Sequence, residues 1–304
     1  MIDSIPPWIL NLASITASIS IITCNHILLH MFPYVFTLSF LHYTFTALAL
    51  QFLRYFTVQK NQKSTLHSLV ILGLLGTAAN CFQNASLRHN TVASYSMYKL
   101  FVIPAQVVIY RVVYQKKFSF ESICSLFVLL FGVYLSTEPE MSNNWTGFIL
   151  GTSAAVVVVP LQTVYVAEKC REYKWSSIQC NCETTPFVSF FSFLLAFFIE
   201  SKGVQSTCVK LMADGMLPIF LLWLLCSCLC AVGVNILTIA ISRRSSAVSY
   251  SVLGHVKTIG VITVSVLRAG GNKLPSLQIL AGLICAMSGS WFYSAAEEKR
   301  IKVE

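Results

Sequence analysis

The sequence predicts an all-α polytopic membrane protein, with about ten transmembrane helices in two inverted five-helix repeats. Three observations carry this expectation. First, 56% of the 304 residues are hydrophobic and only 11% are charged, with a mean hydropathy of +0.70; a soluble domain carries roughly 25% charged residues to cover its surface. Second, apolar runs of spanning length, about 20 residues each, alternate with short breaks that hold charge, proline or glycine. Third, a phrase in the fourth run, Val92-Ala93-Ser94-Tyr95-Ser96, returns in the ninth as Ala247-Val248-Ser249-Tyr250-Ser251. Five spans separate the copies, and an odd number of crossings inverts direction.

The expected spans are 9–30, 34–56, 66–87, 91–113, 119–137, 147–167, 184–200, 216–241, 246–267 and 275–295. Each must be helical, because an unpaired backbone group in hydrocarbon costs several kcal/mol. The residues before the first span hold Asp3 and no Lys or Arg, so that span reads as an uncleaved anchor. The second is followed by Lys60 and Lys63, the fourth by Lys116-Lys117, and the fifth by Glu138-Pro139-Glu140. The sixth follows Asn144-Trp145-Thr146, a glycosylation sequon lying close to the membrane. Glu183 and Glu200 fall at the ends of the seventh. The eighth holds Cys226-x-Cys228-x-Cys230; on a helix these point in different directions and have no His or carboxylate beside them, so they read as packing residues and not as a metal or disulfide framework. Pro104, Pro160, Pro186 and Pro218 are expected to kink their helices.

Charge sets the expected orientation. Fourteen Lys and Arg residues fall on one set of span ends and five on the other, and the richer side is expected to be cytosolic. Both termini then lie in the cytosol. The formal net charge of +9 is thus a topology signal and no case for nucleic acid. The repeats are expected at 1–140 and 141–304, within one integral transmembrane domain.

Two lysines are left inside spans. Lys99 lies in the fourth and Lys257 in the ninth, each after a tyrosine, Tyr95 or Tyr250, at spacings of four and seven that keep both side chains on one helical face. A charged lysine deep in a span costs ~2.5–3.5 kcal/mol on insertion scales. No Asp or Glu falls centrally in any expected span to offset it. The pattern predicts a polar cavity that receives an anion, with the two lysines as point charges and the tyrosines stacking on or hydrogen-bonding the ligand. Asn84, Asn235, His255 and Gly254, the last allowing close approach, are the further candidates; Asn25, His26 and His42 are other polar residues that could line the cavity.

The residues around these lysines resemble the nucleotide-sugar and triose-phosphate translocator branch of the drug/metabolite transporter superfamily, above all solute carrier family 35, subfamily E. Ser249-Tyr250-Ser251-Val252-Leu253-Gly254-His255-Val256-Lys257-Thr258 is similar to that group's Thr-Tyr-Asn-x-x-Gly-His-x-Lys pattern, with Thr258 where phosphosugar translocators carry arginine. Asn84-Ala85-Ser86-Leu87, Asn90-Thr91, Tyr95, Lys99 and Pro104 resemble the fourth-helix signature. Three places depart from the family's pattern: Asn25-His26 stands where the family has Asn-Lys, replacing a fixed cation by one that titrates near neutral pH, Cys180-Asn181-Cys182-Glu183-Thr184-Thr185 replaces an apolar, tyrosine-rich stretch at the seventh-helix entry, and Ser251 stands where Asn is usual.

The resemblance implies a multi-pass antiporter of the Golgi or endoplasmic reticulum membrane. It would exchange a cytosolic nucleotide sugar for a luminal nucleoside monophosphate, with His26, Asn84, Tyr95, Lys99, Asn235, Tyr250, Gly254, His255, Lys257 and Thr258 at the substrate. Such a carrier needs no cofactor and no metal. The sequence holds no catalytic acid/base set, so an enzyme is not expected. A phosphosugar or phosphate exchanger and a non-transporting interaction protein on a carrier fold are the alternatives, and homodimerisation is left open.

Overall fold

The computed structural model describes residues 6–56, 64–136, 144–175, 177–242 and 277–303, and among them all regular structure is helical. Helix α1 (Pro7–Met31) opens on a proline, whose absent N–H costs nothing in a first turn. It stops at Phe32, because the following Pro33 disfavours the helical conformation there. Helix α2 (Val35–Phe56) returns antiparallel. Helix α3 (Leu66–His89) is capped by Thr65, whose hydroxyl accepts from the Ser68 N–H.

The fourth expected span is broken. Helix α4 (Val92–Tyr98) gives way to a 3₁₀ turn, Lys99–Phe101, before α5 (Val102–Val112). Pro104 explains the break: it offers no N–H to the Leu100 carbonyl and its ring crowds that oxygen, so the preceding turn tightens. Helix α6 (Phe120–Ser136) follows. The sixth span is α7 (Trp145–Ser153), a π-helical turn at Ala154–Val158, and α8 (Val159–Glu172). Here Pro160 withholds an N–H from the Val156 carbonyl, and the ladder widens. Helix α9 (Ser177–Leu195), a second π turn at Ala196–Glu200 and α10 (Ser201–Ala213) form one continuous rod. Helices α11 (Leu217–Ser242) and α12 (Leu277–Val303) complete the described chain.

These helices fall on nine of the ten expected spans; the ninth, 246–267, lies outside the described residues. Among the described residues, six helical stretches are long and apolar enough to cross a membrane by length and composition, and Val102–Val112, Phe120–Gly132 and Leu280–Tyr293 are shorter apolar helices.

Two expectations change. Neither Glu183 nor Glu200 is at a helix end, because the seventh helix begins at Ser177 and continues to Ala213. Hydropathy ends early there because Ser201, Lys202, Gln205 and Lys210 are polar. The helix persists because Val204, Cys208 and Leu211 pack on the α1–α2 turn. Pro218 does not kink α11; it sits in the first turn, where its missing N–H has no intrahelical partner to lose.

Packing relies on close backbone approach, since lipid supplies no hydrophobic drive between helices. Helices α6 and α12 run antiparallel in backbone contact. A Cβ on Gly132 would lie 2.6 Å from the Gly282 carbonyl oxygen, and one on Gly289 would lie 2.8 Å from the Ser125 carbonyl oxygen. Helix α2 packs along α9, α1 along α11 and α3 against α7; α3 also meets α9, and α2 meets α11. The main apolar core lies at one end of the bundle, where Leu28, Leu29, Phe32 and Leu38 meet Leu87, Tyr95, Leu211 and Phe220.

Candidate functional site

Lys99 is the first residue of the 3₁₀ turn, so the helix break and the charge coincide. Thr91, accepting from the Ser94 N–H at 3.1 Å, fixes the start of α4 and hence the register that puts Tyr95 and Lys99 one turn apart. The Lys99 Nζ lies 4.4 Å from the centre of the Tyr95 ring, within the range of a cation–π contact. Tyr95 is buried, and its hydroxyl reaches Gln83 Oε1 on α3 at 3.4 Å. Among the described residues no carboxylate forms an ion pair with Lys99, whereas Arg54 pairs with Glu183, Lys169 with Glu172 and Arg171 with Glu168. The Lys99 ammonium is thus partly buried and lies against a ring face.

The 3₁₀ turn packs against the π turn of the sixth span. One turn further along, Gln106 donates to the Thr163 hydroxyl at 2.7 Å. The two proline-induced irregularities therefore sit side by side, and such breaks in otherwise regular helices mark places where a helix bends.

The other candidates divide. Asn84 faces α2, donating to the Ser39 hydroxyl at 3.0 Å, and Ser39 in turn donates to the Val35 carbonyl. His26 stacks edge-on against His30, with ring centres 4.7 Å apart. Asn235 donates to the Ala231 carbonyl of its own helix at 2.9 Å. So the structure brings Tyr95 and Lys99 together, while Asn84 and Asn235 make structural hydrogen bonds. Tyr250, Gly254, His255, Lys257 and Thr258 lie outside the described residues.

Sequence reasoning missed Ser227. Fully buried on α11, it donates to Asn25 Oδ1 of α1 and lies 2.9 Å from His42 Nε2 of α2. This network fastens α1 and α2 to α11. Ser227 sits between two cysteines in a run of small residues, and the pattern gives no sign of which one carries a hydrogen bond.

Residues 10–294 match the model of the Triose-phosphate Transporter family. The chain is 28% identical to UDP-xylose transporter 1 of Arabidopsis thaliana over 283 residues, which cover 92% of this chain and 81% of that protein. It is 28% identical to UDP-rhamnose/UDP-galactose transporter 2 of the same plant over 305 residues, 98% of this chain and 84% of that one. With a match running through nearly all its helices, the chain belongs to the Triose-phosphate Transporter family, in the nucleotide-sugar and triose-phosphate translocator branch of the drug/metabolite transporter superfamily.

Proposed function

We propose that this protein is a nucleotide-sugar antiporter of the Golgi or endoplasmic reticulum membrane, exchanging a cytosolic nucleotide sugar for a luminal nucleoside monophosphate. The observation that carries the reading is Lys99, a cation inside a helix, laid on the Tyr95 ring and unmatched by a carboxylate among the described residues. Lys99 attracts the phosphates; Tyr95 offers its ring to the base or holds the ammonium until the ligand arrives. Lys257, Tyr250, His255, Gly254 and Thr258 supply the matching half of the site from the ninth span. The relatives named for UDP-xylose and UDP-rhamnose/UDP-galactose transport make uridine diphosphate sugars the first substrates to test.

Two inverted repeats, 1–140 and 141–304, moving by alternating access, complete the proposal, with both termini cytosolic. The packing supports it. A twofold that exchanges span n with span n+5 maps the α1–α11 contact (spans one and eight) onto α3–α7 (spans three and six). It maps α3–α9 onto α2–α11, and each of the α2–α9 and α6–α12 pairs onto itself.

The test is uptake of labelled UDP-xylose, UDP-rhamnose and UDP-galactose into proteoliposomes preloaded with uridine monophosphate. Wild type should accumulate at least one sugar, only when preloaded, and Lys99→Ala should abolish it. Uptake unaffected by Lys99→Ala sinks the site. Triose phosphate that competes as well as the nucleotide sugar would replace the proposal with a phosphosugar exchanger.

A further inference from the structure

A cavity of about 280 Å³ opens between the end of α5 and the start of α6, and none of the residues described around Lys99 lines it. Val107, Val108, Val112, Phe118 and Ile123 make its apolar walls, and Arg111 is the one charged residue of the lining. Val108 and Val112 are 60% and 64% exposed, so the cavity opens sideways onto the outer surface of the bundle.

Its neighbours place it at a membrane boundary. Tyr110 and Tyr114 pair at 5.7 Å, and the Lys116 Nζ lies 5.1 Å from the Tyr110 ring and 5.6 Å from that of Phe118. Tyrosine and lysine concentrate where hydrocarbon meets headgroups. An apolar recess at that level, open to lipid and carrying an arginine, has the chemistry of a lipid seat: basic pockets between transmembrane helices bind anionic headgroups.

The surrounding charges favour an anion. Glu168 and Glu172 on α8, the helix packed against α5, are held in ion pairs by Arg171 at 3.1 Å and Lys169 at 2.6 Å. Glu121, in the first turn of α6, is two residues from Ile123 and so lies about 200° around the helix from the cavity wall. The guanidinium can meet a phosphate with two parallel hydrogen bonds. A sugar nucleotide would leave most of its polar groups unpaired against valine and phenylalanine, so the cavity is no second substrate site.

We propose that this cavity binds an anionic glycerophospholipid, with an acyl chain between α5 and α6 and the headgroup phosphate on Arg111. The occupant is a bilayer lipid. The test takes the full-length protein in mixed micelles containing phosphatidylserine and phosphatidylcholine with the same acyl chains, and reads retained lipid by native mass spectrometry. Wild type should retain phosphatidylserine in preference to phosphatidylcholine by about five-fold, the factor one arginine at the membrane surface contributes. Arg111→Gln should bring the ratio to one, and Val108→Trp, which fills the cavity, should lower retention of both lipids. Equal retention by wild type overturns the proposal, as does a preference that survives both substitutions. A thermal scan of wild type alone gives an independent reading. Phosphatidylserine should raise the unfolding midpoint and glycerophosphoserine, which has the headgroup without chains, should not; equal effects from the two also overturn it.

Discussion

Thr37, Thr44, Gln51 and Arg54 of α2 each reach across to the seventh-span helix. Thr37 donates to Glu200 at 2.8 Å, Thr44 pairs with Ser189 at 2.6 Å, Gln51 donates to the Cys182 carbonyl at 3.0 Å, and Arg54 meets Glu183 at 2.9 Å. The fourth span treats its polar group differently: Lys99 rests on a tyrosine ring at a helix break, with no carboxylate in ion-pair range among the described residues. The first region spends its polar groups on fixing two helices together; the second leaves one in reserve. A saturated seam resists movement, because shifting it strands several buried partners at once. A broken helix whose cation makes no ion pair among the described residues has fewer bonds to lose by bending, and in the proposed function that cation is the group that meets the anion.

The largest effect should come from removing the reserve. Lys99→Met should eliminate uptake and yet raise the unfolding midpoint in detergent, with a gain bounded by the ~2.5–3.5 kcal/mol that a charged lysine costs inside a span. A variant both inactive and destabilised would mean that Lys99 belongs with the structural groups. The opposite signature is expected at the seam. Glu200 is buried and accepts from the backbone N–H of Phe36 at 3.0 Å and of Thr37 at 2.7 Å, capping α2 from another helix. Glu200→Gln turns one of its acceptors into a donor facing those N–H groups. It should lower stability by about 1.5–3 kcal/mol, the range for hydrogen bonds to charged groups, as read by denaturant titration.

The smallest effect tests whether a locally capped helix end behaves like the Glu200 cap. Asn144 Oδ1 accepts from the Gly147 N–H at 3.0 Å, and its Nδ2 donates to the His89 carbonyl. Asn144→Gln should lower stability by about 1 kcal/mol, as loss of an N-cap does. The donation to His89 engages the nitrogen that a glycan would need. Endoglycosidase treatment of the wild-type protein expressed in eukaryotic cells should therefore leave its electrophoretic mobility unchanged.

The contrast between the two regions was only half legible in the sequence. Lys99 and Tyr95 stood out because a lysine in an apolar run has few explanations and because four residues make one helical turn. Pro104 announced a disturbance, but its form, a 3₁₀ turn beginning at the lysine, depends on how the neighbouring sixth span packs. Thr37, Thr44 and Gln51 recur every seven residues, the period of a helix seam, yet threonine is common in membrane helices and nothing local tells a seam from a cavity lining. Glu200 was hidden for a different reason. Polar residues after it mimic a loop, and only the docking of Leu211 and Val204 on the first hairpin keeps that stretch helical. Asn84 and Asn235 are chemically suited to a ligand, and the sequence does not show that each also donates a hydrogen bond, to the Ser39 hydroxyl and to the Ala231 carbonyl.

The Glu200 cap also bears on how the protein is made. The first turn of α2 takes its cap from a carboxylate 164 residues further along the chain. The ribosome releases roughly 5–20 residues per second, so the amides of Phe36 and Thr37 wait several seconds or more, while the segments of α3 to α8 are made, before their acceptor exists. During that interval the first hairpin depends on water or lipid headgroups for those bonds. Its final position is thus a late event in biosynthesis, although its residues are among the first to emerge.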